Sequence, residues 1–375
     1  MILKTPPMGW STWNTFGENI NEELLIQTAD VLINNGYKDA GYEYIIIDDC
    51  WSLKERDKYG NLQADPEKFP HGMKYVADYI HSKGLKFGMY SDCGFWTCAR
   101  YPGSWGYEYQ DAKKFAEWGV DYLKYDFGNR PESADTKVSY LTMSQALRNS
   151  GRDIALAACN WGVDQPWKWM RSRGINTYRS TYDITDSPES FISIFEGQWD
   201  KFENSAFDCY NDLDMLTVGM KNVGTVAKGG CTDEEYALHF AIWAFFGTPL
   251  IIGADIRNID DINKATLLNK DLISINQDSE NRPPFRITNY FEHGYAFCKL
   301  LSNGDFAVFI LDMHPEEEHY ISVSFDDCGV PTNRGLGVET IDCVTHEKLG
   351  VYRGGFTFKT TYKGFRVFRC KVVDL

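Results

Sequence analysis

The chain has 375 residues, of which 43% are hydrophobic and 24% charged. These proportions are ordinary for a globular protein and exclude a disordered, collagen-like or low-complexity chain. The formal net charge of −15 repels phosphate backbones and anionic lipid, so neither nucleic acid nor a membrane is an expected partner. The length suggests two units, or one large barrel with a smaller appendage.

Targeting signals are not evident in the sequence. The first ten residues lack the apolar core of a signal peptide, and no apolar run approaches the roughly 18 to 20 residues of a spanning helix. We therefore expect a cytoplasmic protein, or a secreted one if a leader has been removed. The ten cysteines lack the repeated CxxC spacing of a zinc site, and we expect free thiols.

Short apolar runs alternate with amphipathic stretches along the first three-quarters of the chain, which is typical of repeated βα units. One predicted helix, 22–35, carries Leu25, Ala29 and Leu32 on one face. Ser187 before a proline, and Thr232 with Glu235, predict helix starts. Eight units imply a closed (β/α)8 TIM barrel, an α/β fold. The predicted strands are 9–13, 44–48, 87–91, 122–126, 154–160, 177–183, 207–212 and 249–255.

The pattern changes to strands and turns between residues 276 and 284. We therefore predict a catalytic barrel over 1–280 and a C-terminal antiparallel β-sandwich over 281–375. Within the second unit, Asn303-Gly304 predicts a hairpin, because both residues tolerate positive φ. Ile321, Val323 and Phe325 alternate with polar residues, as expected for a half-buried strand.

Carboxylates cluster where the predicted barrel strands end. In such barrels the catalytic groups lie at the C-terminal ends of the strands. A tight acidic cluster must be neutralised by protonation, by cations or by hydrogen bonds to a polyol. Helix capping is the alternative, and we expect it for Asp92 and Asp255. The acids concerned are Asp48, Asp49, Asp92, Asp126, Asp183, Asp212, Asp214 and Asp255.

Other common site chemistries find little support in the sequence. Asp-rich sites do hold magnesium or calcium. However, none of the seven histidines stands at a predicted strand end, which disfavours zinc or iron and leaves a Ser-His-Asp triad without a base. The chain also lacks GxxxxGK and GxSxG motifs, so phosphate-cradling and serine-hydrolase functions lose their main support.

Lys124 and Asp126 lie two residues apart on one strand, so their side chains project to the same side, which in a barrel can be the lumen. A cation beside Asp126 would keep it ionised, as a nucleophile attacking an anomeric carbon requires. The partner acid needs a raised pKa, and Asp183 is the candidate. Two alternatives remain: a structural Lys124–Asp126 ion pair, and a Schiff-base lysine, against which the nearby acids argue.

Several ordered segments resemble glycoside hydrolase family 27, the α-galactosidases. They run from residue 7 to about 278, the whole predicted barrel. The segments are PMGW at 7–10, IDDCW at 47–51, QADP at 63–66, YPGS at 101–104, LKYD at 123–126, NDLDML at 211–216, TDEE at 232–235 and INQD at 275–278.

The resemblance implies a retaining exo-glycosidase without metal or cofactor, with Asp126 as nucleophile and Asp183 as acid/base. It implies that Asp48, Asp49 and Lys124 form the group that holds the axial 4-hydroxyl, the 3-hydroxyl and the 6-hydroxyl of galactose. Asn160 and Arg179 would lie nearest the 2-hydroxyl, and Trp13 would form an apolar wall. The remaining substrate contacts it implies are Tyr90, Cys98, Cys159, Asp214 and Met215.

Three departures from the family pattern bear on specificity. Asn160 stands where glutamate is common, and with Val163 it keeps α-N-acetylgalactosaminidase activity as an alternative. Relatives acting on β-L-arabinopyranosides, a second alternative, lack one of the paired acids, so retention of both Asp48 and Asp49 favours a sugar with a 6-hydroxymethyl group. Gly128 stands where secreted relatives often have a cysteine that bridges to the position of Cys98, which agrees with an intracellular enzyme.

The sequence thus predicts hydrolysis of terminal α-D-galactosyl residues by double displacement. The expected substrate is a galactose-containing oligosaccharide or glycoconjugate, and the oligomeric state stays open. The non-enzymatic alternative is a catalytically inactive galactose-binding protein.

Overall fold

Eight parallel strands form the barrel in the computed structural model, which describes residues 2–287, 294–313, 319–331 and 335–375. Their sheet order is β7-β6-β5-β4-β3-β2-β1-β8. The strands are β1 (Met8–Ser11), β2 (Tyr44–Ile46), β3 (Lys86–Asp92), β4 (Tyr122–Asp126), β5 (Ala155–Cys159), β6 (Thr177–Arg179), β7 (Tyr210–Asp212) and β8 (Leu250–Ile252).

The sheet closes through one residue beyond β7. Leu216 pairs with Ile252 in an isolated parallel bridge. Its N–H donates to the Ile251 carbonyl at 2.8 Å, and its carbonyl accepts from Gly253 N at 2.9 Å. The prediction of a closed (β/α)8 barrel is therefore confirmed.

The barrel interior alternates large and small side chains. Tyr44 on β2 and Tyr122 on β4 pack with ring centroids 5.5 Å apart. Ala155 and Ala157 on β5 belong to the same buried cluster and leave room for these rings. The complementary sizes fill the lumen with side chains, as expected of a barrel core.

The predicted helix starts are confirmed. Ser187 caps α7, accepting from Ser190 N at 3.3 Å. Thr232 and Glu235 exchange the two hydrogen bonds of a capping box at 3.2 and 3.0 Å. The helices are α1 (Trp13–Phe16), α2 (Glu22–Asn34), α3 (Tyr37–Ala40), α4 (Gly72–Ser82), α5 (Glu108–Trp118), α6 (Thr136–Arg148), α7 (Pro188–Gln198), α8 (Asp233–Phe246), α9 (Asp261–Leu267) and α10 (Lys270–Asn276).

Most strands are shorter than the sequence predicts. The predicted sixth strand, 177–183, ends at Arg179, so Asp183 lies in the following loop.

The prediction that Asp92 and Asp255 cap helices is also wrong. Asp92 accepts from Gly94 N and Gly128 N rather than from a helix, and Asp255 binds Arg257 ahead of α9.

The strands that follow the barrel, β9 to β16, pair antiparallel, as predicted for the C-terminal region. One sheet has the order β14-β13-β16-β11-β10-β9, and β12 pairs with β15. Ile321 and Val323 of β12 are buried, which confirms their alternation. The strands are β9 (Phe285–Arg286), β10 (Gly294–Leu300), β11 (Phe306–Asp312), β12 (His319–Ser324), β13 (Leu336–Asp342), β14 (Lys348–Tyr352), β15 (Gly355–Thr360) and β16 (Phe365–Asp374).

The hairpin at Asn303-Gly304 joins β10 to β11. Gly304 takes a positive φ of 87°, which suits glycine. Asn303, by contrast, does not adopt positive φ, because the loop is longer than a two-residue turn: Leu301 N donates to the Asp305 carbonyl at 2.9 Å.

The chain divides into two compact units. The first comprises Met1–Phe240 and Thr248–Leu268, and the second Ala241–Gly247 and Asn269–Leu375. The change to antiparallel structure falls between α10 and β9, which brackets the predicted boundary at 280; that boundary stays a prediction. Among the described residues, no helix is long and apolar enough to cross a membrane.

Candidate active site

A cavity of about 100 Å³ lies where the barrel strands end. It brings together every predicted site residue except Asn160, although they come from all parts of the first unit. The predicted residues that line it are Trp13, Asp48, Asp49, Tyr90, Cys98, Lys124, Asp126, Cys159, Arg179, Asp183, Asp214 and Met215.

Asp126 is the last residue of β4 and is 7% exposed. Its Oδ2 accepts from the Tyr90 hydroxyl at 2.7 Å, and its Oδ1 accepts from Phe127 N at 3.0 Å. Burial raises the pKa of Asp126, while the positive charge of Lys124 and the Tyr90 hydrogen bond oppose that rise. The carboxylate is thus held in a fixed orientation.

Lys124 makes its direct ion pair with Asp48, Nζ to Oδ2 at 2.7 Å. The alternative of a structural Lys124–Asp126 ion pair is thus not what the structure has: Lys124 on β4 pairs instead with Asp48, which lies after β2. Burial disfavours the charged amine, but the nearby negative groups, Asp48 first and Asp126 among them, together outweigh it and hold the pKa of Lys124 well above its usual value. A Schiff-base lysine must be neutral to react, so this environment does not suit one.

Asp48 and Asp49 follow β2 and are both buried, at 2% and 3% exposure. Asp48 Oδ1 accepts from Asp49 N at 2.9 Å, and Asp49 Oδ2 accepts from Ala99 N at 3.1 Å. Burial raises the pKa of Asp49. Two adjacent carboxylates and an ammonium group thus converge on one side of the cavity, a set that matches sugar hydroxyls, which both donate and accept.

Asp183 has a more open environment, with 66% of its side chain exposed. Its Oδ1 accepts from Arg179 Nη2 at 2.9 Å. Burial would raise the pKa of Asp183, but Arg179 and Lys124 together lower it below its usual value. The sequence predicted a raised pKa for this acid, so the observed direction is the opposite. The prediction failed because the sequence pattern does not reveal that Arg179 reaches this carboxylate.

Arg179 links Asp183 to Asp214. The same Nη2 lies 3.0 Å from Asp214 Oδ2, which also accepts from Ile184 N at 2.8 Å. Asp214 has a φ of 80°, a rare conformation for a side chain larger than hydrogen. Such a strained residue at a site is held there by its surroundings.

Asp92, Cys98 and Asp126 each bring one atom to within 4.8 Å of the others. Both oxygens of Asp92 accept backbone N–H groups, and burial, with the nearby Asp126 charge, raises the pKa of Asp92 to about 8. The Cys98 thiol lies 3.7 Å from Asp126 Oδ2. Protonation and hydrogen bonds are therefore able to satisfy this cluster.

A Cβ at Gly128 would lie 3.1 Å from Cys98 Sγ. Positions 98 and 128 are thus adjacent, as expected if a cysteine at position 128 can form a disulfide with Cys98 in secreted relatives. All ten cysteines are free.

Asn160 does not line the cavity. It is fully buried, and its Nδ2 donates to the Val163 carbonyl at 2.7 Å. Its place near the 2-hydroxyl stays a prediction.

The sequence did not predict four of the residues that line the cavity: Asn14, Trp161, Ile184 and Val226. Trp161 lies two residues after the end of β5 and could have been found from that position, whereas Val226 lies in a long loop with no strand to signal it.

His239, one of the predicted non-site histidines, is buried in α8 and stacks on Phe191 with centroids 5.0 Å apart. Burial lowers the pKa of His239 to about 3. His293 and His314 lie outside the described residues. The described histidines contribute no lining residue to the cavity.

A barrel that holds two carboxylates in different environments, one at a strand end and one in the loop after a strand, has the arrangement of a glycoside hydrolase. The family model described as "Alpha galactosidase A" matches residues 5–278. The chain belongs to this α-galactosidase family, so the resemblance noted in its sequence motifs is confirmed.

Individual relatives agree with the family match. The chain is 41% identical over 354 residues to an α-galactosidase of Cyamopsis tetragonoloba, covering 94% of this chain and 82% of the relative. It is similar to the crystal structure of α-galactosidase I from Mortierella vinacea (TM-score 0.90, 34% identity, 98% and 97% of the two chains). It is also similar to an α-galactosidase from Saccharomyces cerevisiae with raffinose (TM-score 0.89, 30% identity, 99% and 98%).

Proposed function

We propose that this glycosidase hydrolyses terminal α-D-galactosyl residues with retention, by double displacement. One observation carries the proposal: a single cavity joins Asp126 and Asp183 to the Asp48, Asp49 and Lys124 cluster. Galactosyl oligosaccharides or glycoconjugates are the proposed substrates.

In the first step an Asp126 oxygen attacks C1. The bond from C1 to the leaving oxygen breaks, its electrons stay on that oxygen, and the oxygen takes the proton of Asp183. The product is a β-linked galactosyl ester. In the second step Asp183 removes a proton from water, whose oxygen attacks C1 and displaces the Asp126 carboxylate, so that α-galactose leaves.

The lowered pKa of Asp183 concerns the free protein. A leaving group seated against the exposed side of this carboxylate removes water from it, and desolvation raises a carboxyl pKa. Binding therefore moves Asp183 toward the protonated form that the first step requires.

Residues that line the cavity favour galactose over N-acetylgalactosamine and L-arabinopyranose. Both Asp48 and Asp49 are present for a sugar with a 6-hydroxymethyl group. The bulky indole of Trp161, rather than a small side chain, follows Asn160. Hydrolysis of nitrophenyl α-galactoside, α-N-acetylgalactosaminide and β-L-arabinopyranoside should rank the α-galactoside first.

Azide rescue tests the two roles separately. Asp126→Ala should lose on the order of 10⁴-fold or more in turnover. Azide should restore reaction of α-galactosyl fluoride in this variant by attacking from the side that Asp126 occupied, giving β-galactosyl azide. In Asp183→Ala, azide should instead attack the galactosyl ester and give α-galactosyl azide.

The opposite pairing of anomers would overturn the assignment. Galactose binding without turnover of any galactoside by the unaltered protein would favour a binding protein instead.

We also propose that the enzyme works in a reducing compartment, since all ten cysteines are free and disulfides are rare in such compartments. Protein purified from its source without reductant and then denatured should titrate ten thiols. A lower count would show that some cysteines are bridged.

A further inference from the structure

The loop after β6 carries Asp183 and is fastened on both sides of the cavity by residues close to it. Ile184 N donates to Asp214 Oδ2 at 2.8 Å. Two residues further on, Asp186 N donates to the Val226 carbonyl at 2.9 Å. Because the Asp183 side chain is itself 66% exposed, the position of its backbone depends on these neighbouring contacts.

Asp186 joins this loop to the loop between β7 and α8. Its side chain is fully buried. Its Oδ2 accepts from Asn222 N at 2.7 Å, and its own carbonyl accepts from Gly230 N at 2.8 Å. Its Oδ1 accepts from the hydroxyl of Tyr236, on α8, at 2.9 Å. One buried residue thus fastens the Asp183 loop to its neighbours through several hydrogen bonds.

The loop between β7 and α8 is in turn held at the cavity. Thr225 N donates to the Asn14 carbonyl at 2.7 Å, and the Thr225 hydroxyl donates to the Trp13 carbonyl at 3.0 Å. Val226 lines the cavity together with Trp13 and Asn14. Asp186 does not line it, so Asp186 can act on a bound sugar only through the two loops that it joins.

A general acid is sensitive to small displacements. It must approach the leaving oxygen to within about 3 Å, and a misplacement of about 1 Å can reduce the rate on the order of 10²-fold. Asp183 lies three residues before Asp186, so loss of the Asp186 contacts frees one of the two fixed points of its loop. Asp126 ends a barrel strand and does not depend on this loop.

We propose that Asp186 is a positioning residue for the general acid: it fastens the Asp183 loop to the loop between β7 and α8 and so keeps the Asp183 carboxyl at the leaving oxygen. This inference rests on the proposed function, because it takes Asp183 as the acid. It implies that loss of the Asp186 contacts harms protonation of the leaving group more than attack on C1.

Two substrates that differ in their need for a proton test this role. Melibiose expels glucose, which must be protonated as it leaves, whereas α-galactosyl fluoride expels fluoride, a far weaker base. Asp186→Ala should lower the ratio of kcat/KM for melibiose to kcat/KM for the fluoride by about tenfold to a hundredfold. Asp186→Asn keeps an oxygen for Asn222 N and should recover most of the ratio.

A purely structural role would not change this ratio. Asp111 is the matched control, because it is also fully buried, pairs with Arg56 at 2.7 Å and, like Arg56, does not line the cavity. Asp111→Ala should lower the melting temperature but leave the ratio unchanged. If Asp186→Ala lowers both kcat/KM values equally, or changes neither, the positioning role is wrong.

Tyr236→Phe provides the test if Asp186→Ala does not fold. It removes one hydrogen-bond donor to Asp186 and should lower the same ratio by about threefold to tenfold, whereas an unchanged ratio would overturn the role.

Asp183→Ala separates this inference from the proposed function. It should lower the ratio more than any other variant. If it does not, Asp183 is not the acid and the proposed function fails. If Asp183→Ala lowers the ratio but Asp186→Ala and Tyr236→Phe do not, only the positioning role fails.

Discussion

Asp126 and Asp183 have pKa shifts opposite to their roles: burial raises the first, and Arg179 lowers the second against its own burial. The reactive form needs Asp126 ionised and Asp183 protonated, so it is a minor form of the free protein. Because the carboxyl that must stay protonated has the lower pKa, the acid limb of kcat/KM lies at the pKa of Asp183 and the alkaline limb lies at the pKa of Asp126.

We therefore expect a narrow kcat/KM profile with its maximum below neutrality. A leaving group that covers Asp183 raises its pKa, so the acid limb of kcat should lie at higher pH than that of kcat/KM. Steady-state kinetics of melibiose hydrolysis from pH 3 to 8 check this. Coincident acid limbs would contradict it.

Tyr90 tunes the nucleophile through its 2.7 Å hydrogen bond to Asp126. Tyr90→Phe removes a donor that lowers the pKa of Asp126, so the alkaline limb of kcat/KM should move up by about one to two pH units. Tyr79→Phe is the matched control, because Tyr79 donates to Asp30 at 3.0 Å on the surface. An alkaline limb that stays in place in Tyr90→Phe would show that the bond does not tune Asp126.

Strand-end position predicted most of the cavity from sequence, including Asp126 and Lys124, because parallel barrel strands bring their C-terminal ends to one face. It could not predict side-chain partners. The choice of Lys124 between Asp48 and Asp126, and the reach of Arg179 to Asp183, depend on rotamers and loop paths. Val226 was missed for the same reason, since its loop returns to the cavity from far along the chain.

At the scale of elements, capping signals predicted helix starts better than apolar runs predicted strand ends. A cap is a local hydrogen bond, so Ser187 before Pro188 is readable without the fold. A strand ends where its neighbour stops pairing, and β6 stops at Arg179 because its pairing with β7 ends at Asp212. Non-local pairing of this kind leaves no mark in a single segment.

The cap of α7 also supports the loop that carries Asp183. Ser187→Ala removes the side-chain acceptor for Ser190 N and should lower the free energy of unfolding by about 1 kcal/mol. Ser187→Asn keeps an acceptor and should stay near the unaltered value. Urea unfolding of both variants measures the difference, and equal losses would mean that the cap contributes nothing.

For the whole molecule, the predicted boundary at 280 can be tested by truncation. The last turn of α8 belongs to the second unit, where Phe245 packs on Phe309 and Phe246 on Phe297, with centroids 5.5 and 5.1 Å apart. A chain ending at residue 280 leaves these rings exposed, so it should show no cooperative thermal transition by circular dichroism. A cooperative, active truncated barrel would make 280 an independent folding boundary.

The sequence predicted both architectures of the molecule because each has its own periodicity, βα alternation before residue 276 and period-two strands after it. The sequence predicted a single boundary at residue 280. In the structure the second unit instead combines two separate segments, Ala241–Gly247 and Asn269–Leu375. Residues 241–246 continue a helix that begins in the first unit, and nothing in their apolar sequence indicates that Phe245 and Phe246 pack with Phe309 and Phe297. Interleaving is a property of tertiary contacts, which a local pattern does not contain.

The single-residue closure at Leu216 gives the barrel a seam. Elsewhere each pair of neighbouring barrel strands shares at least three paired residues. Between β8 and the segment after β7, only Leu216 pairs, through its two backbone hydrogen bonds. Brief opening there exposes few amides, so deuterium should enter at Leu216 and Gly253 sooner than in β4. Because Leu216 follows Asp214 and Met215, bound galactose should slow that uptake, and mass spectrometry of the peptide spanning 211–216 would then report ligand occupancy without any turnover.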